Sequence, residues 1–245
     1  MMVLVGMSAM AAVSANAKFN VYEIANPSQS NAGGKVNWIK AHHGKDNNDF
    51  AWYANFSTAP NGKKTNGFWL AVSPGPNPKG HPGELALMYF DANEKAITAY
   101  NYNGQNGDNS WTNPGEKIVS SKALGSKKLS LMDITVVDNA DGTRTLGFRA
   151  DISKINNYVP TNSGSAPWTG AKFAGKIGYW FHPVTGLETD YSGDGFLKKW
   201  KPGSAGWVDY ENEHTVCLDN PVPEPATMVA LGLGLAAIAR RRKSA

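Results

Sequence analysis

Along residues 18 to 220, apolar and polar positions alternate in short runs separated by glycine, proline and asparagine. A period of two sends successive side chains to opposite faces of an extended chain, so this pattern predicts strands rather than helices. The expected strands are 35–43, 50–57, 67–73, 84–91, 96–103, 129–138, 143–151, 176–182, 187–191 and 206–210. In "TLGFRAD", Leu146, Phe148 and Ala150 share one face while Thr145, Arg149 and Asp151 share the other. The preceding strand places Met132, Ile134 and Val136 together, and "DNADG" (138–142) supplies the turn. "FWLAV" (68–72) and "LALMYF" (85–90) are apolar on both faces, as expected of strands covered on each side. Asn-Gly pairs at 61–62, 66–67, 103–104 and 106–107, with "SPGPNPKGHPG" (73–83), predict turns because Asn and Gly tolerate positive φ. The only helical hint is "DISKINN" (151–157). Many short strands with one helical turn predict an all-β, two-sheet antiparallel sandwich. No internal repeat points to a propeller or solenoid.

Both ends break the alternation. Met1 to Val13 is apolar and leads to Ala15-Asn-Ala17, the small-x-small pattern of signal-peptide cleavage. Residues 1–17 are therefore expected to be a signal peptide, with Lys18 the new N-terminus. No Lys or Arg precedes the apolar run, which is read as a start lying upstream of Met1. At the other end, Ala226 to Ala239 carries no charge and is followed by Arg240, Arg241, Arg242 and Lys243. As a helix this run reaches ~21 Å, short of a ~30 Å hydrocarbon core. Pro223 and Pro225 keep it from extending backwards. It is apolar on every face, unlike a helix that packs on a soluble domain. The basic cluster would stay cytoplasmic, leaving the domain outside.

Pro223, Glu224 and Pro225, then a short glycine-containing apolar helix, then an Arg-rich terminus, together resemble the PEP-CTERM sorting signal of Gram-negative bacteria. The resemblance spans residues 221–245. It implies recognition of Pro223-Glu224-Pro225 by exosortase, transient retention by Arg240 to Lys243, removal of the helix, and delivery to the surface or matrix. The body, 18–220, then becomes an extracellular domain. The stretch 66–111 resembles the extracellular domain of some PEP-CTERM proteins, which implies a concanavalin-like jelly-roll sandwich and assigns no activity.

Charge adds little to this picture. The chain carries +4 overall, but without the terminal basic cluster the body is close to neutral, and its basic runs are no longer than Lys pairs. Nucleic acid is thus excluded as a partner. Cys217 is the sole cysteine, so no intrachain disulfide forms.

Candidate chemistry is sparse. His42 and His43 are adjacent and face opposite sides of a strand, and no metal-binding histidine spacing occurs, so no metal site is expected. "ETD" (188–190) has the spacing of two carboxylates on one strand face, as a retaining glycosidase needs, but Gly193 stands where the laminarinase-type pattern requires a Glu. "DYENE" (209–213) reads as an edge or linker, and no Gly-x-Ser-x-Gly motif occurs. No catalytic residue is assigned. The loops 104–109, 138–142 and 192–195 are oxygen-rich, which keeps calcium open as an alternative to no cofactor. Trp111, Trp168 and Trp200 fall in expected loops; Trp111 beside Asn109 is the candidate carbohydrate contact. The expectation is a non-catalytic surface or matrix protein whose partners are exosortase, the membrane and extracellular polysaccharide. A glycan-active enzyme and a calcium-dependent adhesin are the alternatives.

Overall fold

A computed structural model describes residues 20–44, 48–105, 109–112, 115–161, 167–173 and 175–212. Ala15, Ala17, the Pro223-Glu224-Pro225 motif, the apolar helix expected after it, and Arg240, Arg241, Arg242 and Lys243 lie outside the described residues. So does Cys217.

The first sheet has five antiparallel strands. They are β1 (Asn20–Ala25), β2 (Lys35–His43), β3 (Asp49–Ser57), β8 (Ser130–Asp138) and β9 (Arg144–Asp151), in the order β1-β2-β3-β9-β8. The second has seven: β4 (Thr65–Ser73), β5 (Ala86–Asp91), β6 (Ala96–Asn101), β7 (Lys117–Ser120), β10 (Ile177–Thr185), β13 (Ser204–Ala205) and β14 (Val208–Asn212). Its order is β10-β4-β5-β6-β7, with β13 and β14 sharing the outer edge of β10. A hairpin of β11 (Glu188–Tyr191) and β12 (Leu197–Lys201) stands apart from both sheets. β3 pairs with β9 in the first sheet, and the strands that follow each in the chain, β4 and β10, pair with one another in the second. This is the expected all-β sandwich. The helical hint becomes a single turn, α1 (Ser153–Asn156).

Alternation explains the core. Phe50, Trp52, Ala54 and Phe56 of β3 and Leu146, Phe148 and Ala150 of β9 point inward, opposite Phe68, Leu70 and Val72 of β4 and Tyr179 and Phe181 of β10. Trp52 meets Tyr179 and Phe181 at 5.4 Å, and Phe68 stacks on Phe90 at 4.7 Å. Each such ring contributes about 1.5–3 kcal/mol by leaving water.

The strands that are apolar on both faces build a second apolar layer. Trp69, Leu87, Tyr89, Tyr100, Tyr102 and Trp180 face away from the first core, and the hairpin covers them with Leu187, Phe196, Leu197 and Trp200. Asp91, fully buried, pins that hairpin. Its Oδ1 accepts from the backbone N–H groups of Asn93 and Glu94, and its Oδ2 from Thr189 Oγ1 (2.5 Å) and Tyr191 Oη (3.3 Å). A buried carboxylate is tolerable because it is so fully hydrogen-bonded.

Two expectations need correction. Met132 does not share a face with Ile134 and Val136: the register shifts between Leu131 and Asp133, so Leu131 packs on the core and Met132 turns to solvent. A bulge inserts one residue and reverses the phase of everything before it. Asn66-Gly67 is not a turn but lies within β4. Gly67 is there for close approach, since a Cβ would meet Leu187 Cδ2 at 2.5 Å and the Phe90 carbonyl at 2.9 Å. Asn66 Oδ1 accepts from the Leu187 N–H. The pairs at 61–62 and 103–104 do sit in bends or turns, with φ of 76° at Gly62 and 87° at Gly104.

Candidate functional site

Among the described residues the outer face of the five-stranded sheet has no hairpin across it like that of β11 and β12. Its register sets out rows across the strands: Trp38, Asn55, Thr145 and Val137 in one, Lys40, Tyr53, Gly147 and Thr135 in the next, His42, Ala51, Arg149 and Asp133 in the third. Neighbouring strands lie ~4.8 Å apart, so a side chain that reaches two strands away must lean across the sheet. Tyr53 does so. Its hydroxyl donates to Asp133 Oδ2 on β8 at 3.1 Å, with β9 lying between. Gly147 makes this possible, because a Cβ there would sit 2.3 Å from Tyr53 Cδ1 and 2.5 Å from the Trp52 carbonyl. Burial, reinforced by Asp133, raises the Tyr53 pKa, so the phenol stays a donor.

Beside this ring runs a band of amides and hydroxyls. Asn37 Nδ2 donates to Asn55 Oδ1 (2.8 Å) and to Ser57 Oγ (3.0 Å). Asn55 Nδ2 donates to Thr143 Oγ1 (3.0 Å) and Thr145 Oγ1 (3.1 Å), and Asn139 Nδ2 donates to the same two oxygens at 3.0 Å each. The cations flanking Tyr53 are neutralised. Arg149 grips Asp49 in a fork at 2.8 and 2.5 Å, and Lys40 meets Glu23 at 3.2 Å. The Asp49 bonds raise the Arg149 pKa further. Chemically the face offers two aromatic rings, Tyr53 and the half-buried Trp38 with Lys40 over it at 5.5 Å, together with neutral hydrogen-bonding groups and paired charges.

The residues singled out by sequence fall elsewhere. Trp111 is half-buried and packs on the second apolar layer, while Asn109 is exposed and its carbonyl accepts from Thr112 Oγ1 at 2.6 Å. Trp200 lies not in a loop but in β12, buried and edge-on to Tyr89 at 5.1 Å, and Trp168 donates Nε1–H to the Ile155 carbonyl at 2.8 Å. Glu188 and Asp190 are both exposed and each faces a lysine, Lys199 at 2.6 Å and Lys198 at 3.4 Å. The Lys199 bond lowers the Glu188 pKa. Of the oxygen-rich loops, Asp194 accepts from Lys117 at 2.8 Å and from Ser192 Oγ, which brings its pKa down to about 2. Asp141 accepts from Thr143. Among the described residues no three His, Cys, Asp or Glu side chains gather as metal ligands.

One pair that sequence did not join stands at the margin of the second apolar layer. His182 stacks on Trp69 (4.5 Å, 8°) and meets Trp180 edge-on (5.0 Å, 89°). Burial, opposed by a hydrogen bond to the Gly206 carbonyl and helped by Lys79, lowers its pKa to about 4. The imidazole is therefore neutral near pH 7, and with one nitrogen bonded to Gly206 its Nε2 is left as an acceptor. That atom faces Asp209 Oδ1 at 4.0 Å, and among the described residues neither has a hydrogen-bond partner. Burial, opposed by Lys79, raises the Asp209 pKa.

Residues 221–243 match the family described as the PEP-CTERM protein-sorting motif. The chain carries a PEP-CTERM sorting signal. Such a signal implies processing by exosortase at the membrane and an exported surface protein. No curated protein matches the chain. Among the described residues no helix is long and apolar enough to cross a membrane. In the body that precedes this signal, Tyr53, Asn55 and Thr145 were missed by sequence reasoning. One signal did point there: Gly147 interrupts a strand, which marks a close approach.

Proposed function

We propose that the exported sandwich is a non-catalytic surface or matrix protein that associates with extracellular polysaccharide. The observation that carries this reading is the outer face of the five-stranded sheet, where Tyr53 lies across Gly147 beside a neutral amide–hydroxyl band. Sugars are held by stacking on aromatic faces and by hydrogen bonds to neutral polar groups. The sorting signal supports the reading because it implies an exported surface protein, for which contact with such polymers is open.

A glycosidase would need one carboxyl held protonated, its pKa raised, close to a second carboxylate. Glu188 is shifted the opposite way by Lys199, and the atom facing Asp209 Oδ1 is an imidazole nitrogen. The test is co-sedimentation of the full-length chain, in neutral detergent, with matrix polysaccharide from the producing organism, with and without calcium. Saturable binding without release of reducing ends is expected, and it should be the same in EDTA. Absence of binding in both conditions would sink the reading.

A further inference from the structure

We propose that the Tyr53 face takes an uncharged glycan, one ring stacked on Tyr53 and a neighbouring hydroxyl bridging Thr145 Oγ1 and Asn139 Oδ1. The inference rests on the polysaccharide reading above and names its chemical class and its contacts.

The hydrogen-bond inventory of the band carries it. Thr145 Oγ1 accepts from both Asn55 Nδ2 and Asn139 Nδ2, which fills its two lone pairs and leaves its hydroxyl hydrogen to donate. Thr143 Oγ1 also accepts from both amides, yet its hydrogen is already used on Asp141 Oδ1 at 2.7 Å. Asn139 spends its amide hydrogens on these two threonines, so its Oδ1 remains an acceptor. Thr145 and Asn139 are both half-buried, so each keeps some surface on which a ligand can meet the donor and the acceptor left unspent among the described residues. A sugar hydroxyl both donates and accepts, so it satisfies the pair. A carboxylate or sulfate only accepts, and would meet Asn139 Oδ1 as a second acceptor.

Charge on the face argues the same way. The cations nearest Tyr53 are spent on Asp49 and Glu23, and the Tyr53 hydroxyl is held by Asp133, itself exposed. A polyanion would find two paired cations and an exposed carboxylate there. An uncharged chain loses nothing to this field.

Full-length protein in neutral detergent would be titrated with dextran, galactomannan and xyloglucan, and with carboxymethyl-dextran and alginate. Saturable binding to at least one uncharged polymer is expected, nearly unchanged between 50 and 500 mM salt as order-of-magnitude limits (~0.05 to ~0.5 M). Tyr53→Phe should bind within about threefold of wild type, Thr145→Val about tenfold more weakly, and Tyr53→Ala more weakly still. Thr145→Val also takes an acceptor from Asn55 and Asn139 and should lower the melting temperature, so binding is read well below the transition, and Thr145→Ser, which keeps the hydroxyl, should bind as wild type does. Binding to the anionic polymers alone would overturn the inference while leaving polysaccharide association standing. So would binding to an uncharged polymer that neither Tyr53→Ala nor Thr145→Val weakens. Failure to bind any polymer, the organism's own included, would remove both.

Discussion

The two outer faces of this sandwich began with the same pleated geometry and ended differently. On the seven-stranded sheet, Trp69, Tyr89, Tyr100 and Trp180 point outward and are sealed beneath Phe196, Leu197 and Trp200 of the hairpin. On the five-stranded sheet the outward positions hold Tyr53, Asn55, Thr145 and Arg149, with no such hairpin across them among the described residues. The first face spends its aromatics on stability. The second keeps the half-buried rings of Trp38 and Tyr53 and a set of neutral polar groups, of which Asn55 is buried and Thr145 half-buried. An outward aromatic is thus a sign of function only where nothing in the chain folds back over it.

That contrast can be broken by substitution. Trp200→Ala should cost about 3–5 kcal/mol, because it empties a buried site and loosens the hairpin. Tyr53→Ala on the open face should cost about 1 kcal/mol or less, since its ring is only partly buried. Denaturant unfolding of both variants measures the gap; equal losses would mean that Tyr53 is a core residue and not a platform.

A smaller effect should separate the faces by pH. His182 is held near a pKa of about 4 against an ordinary 6.5. As pH falls below 6.5 the unfolded chain therefore takes up the proton before the native state does. Stability should decline between pH 6.5 and pH 4 and the loss should level off below that, by on the order of 3 kcal/mol in full. Asp209, shifted upward, binds its proton more readily in the native state and offsets part of this loss at the acid end. Melting of wild type and His182→Phe across this window checks the slope, which the variant should reduce to the share left by His42, whose pKa burial also lowers.

The smallest effect has the opposite sign. Asp209→Asn would turn an amide donor toward His182 Nε2, replacing two facing acceptors by a hydrogen bond. A gain of about 1 kcal/mol is expected, read as a higher melting temperature. A lower one would show that the Asp209 carboxylate has a native partner that the amide cannot replace.

How far sequence reached depended on whether a feature was local. β2, β3, β4 and β9 were legible because their period of two is carried by consecutive residues. β1, β7 and β12 were missed: "NVYEIA" and "KIVS" are short, and "LKKWK" carries three lysines on a hairpin whose apolar positions are only Leu197 and Trp200. Met132 was misplaced because a bulge is fixed by what the partner strand presents, not by the bulged strand. The candidate site was almost invisible. Tyr53, Gly147 and Asp133 lie on three strands and meet only through the β3-β9-β8 order, while Trp111, the expected sugar contact, lies against the second apolar layer.

Sequence by itself determined the address and the strand-rich class. A sorting signal is read as a linear string at 221–243, and alternation is a property of neighbours along the chain. Only the tertiary structure decided which apolar face would be covered twice, which tyrosine would lie open, and that His182 and Asp209 would face each other. Period two tells which side chains share a face, but what stands opposite that face is set by strand order and by the hairpin that folds over it.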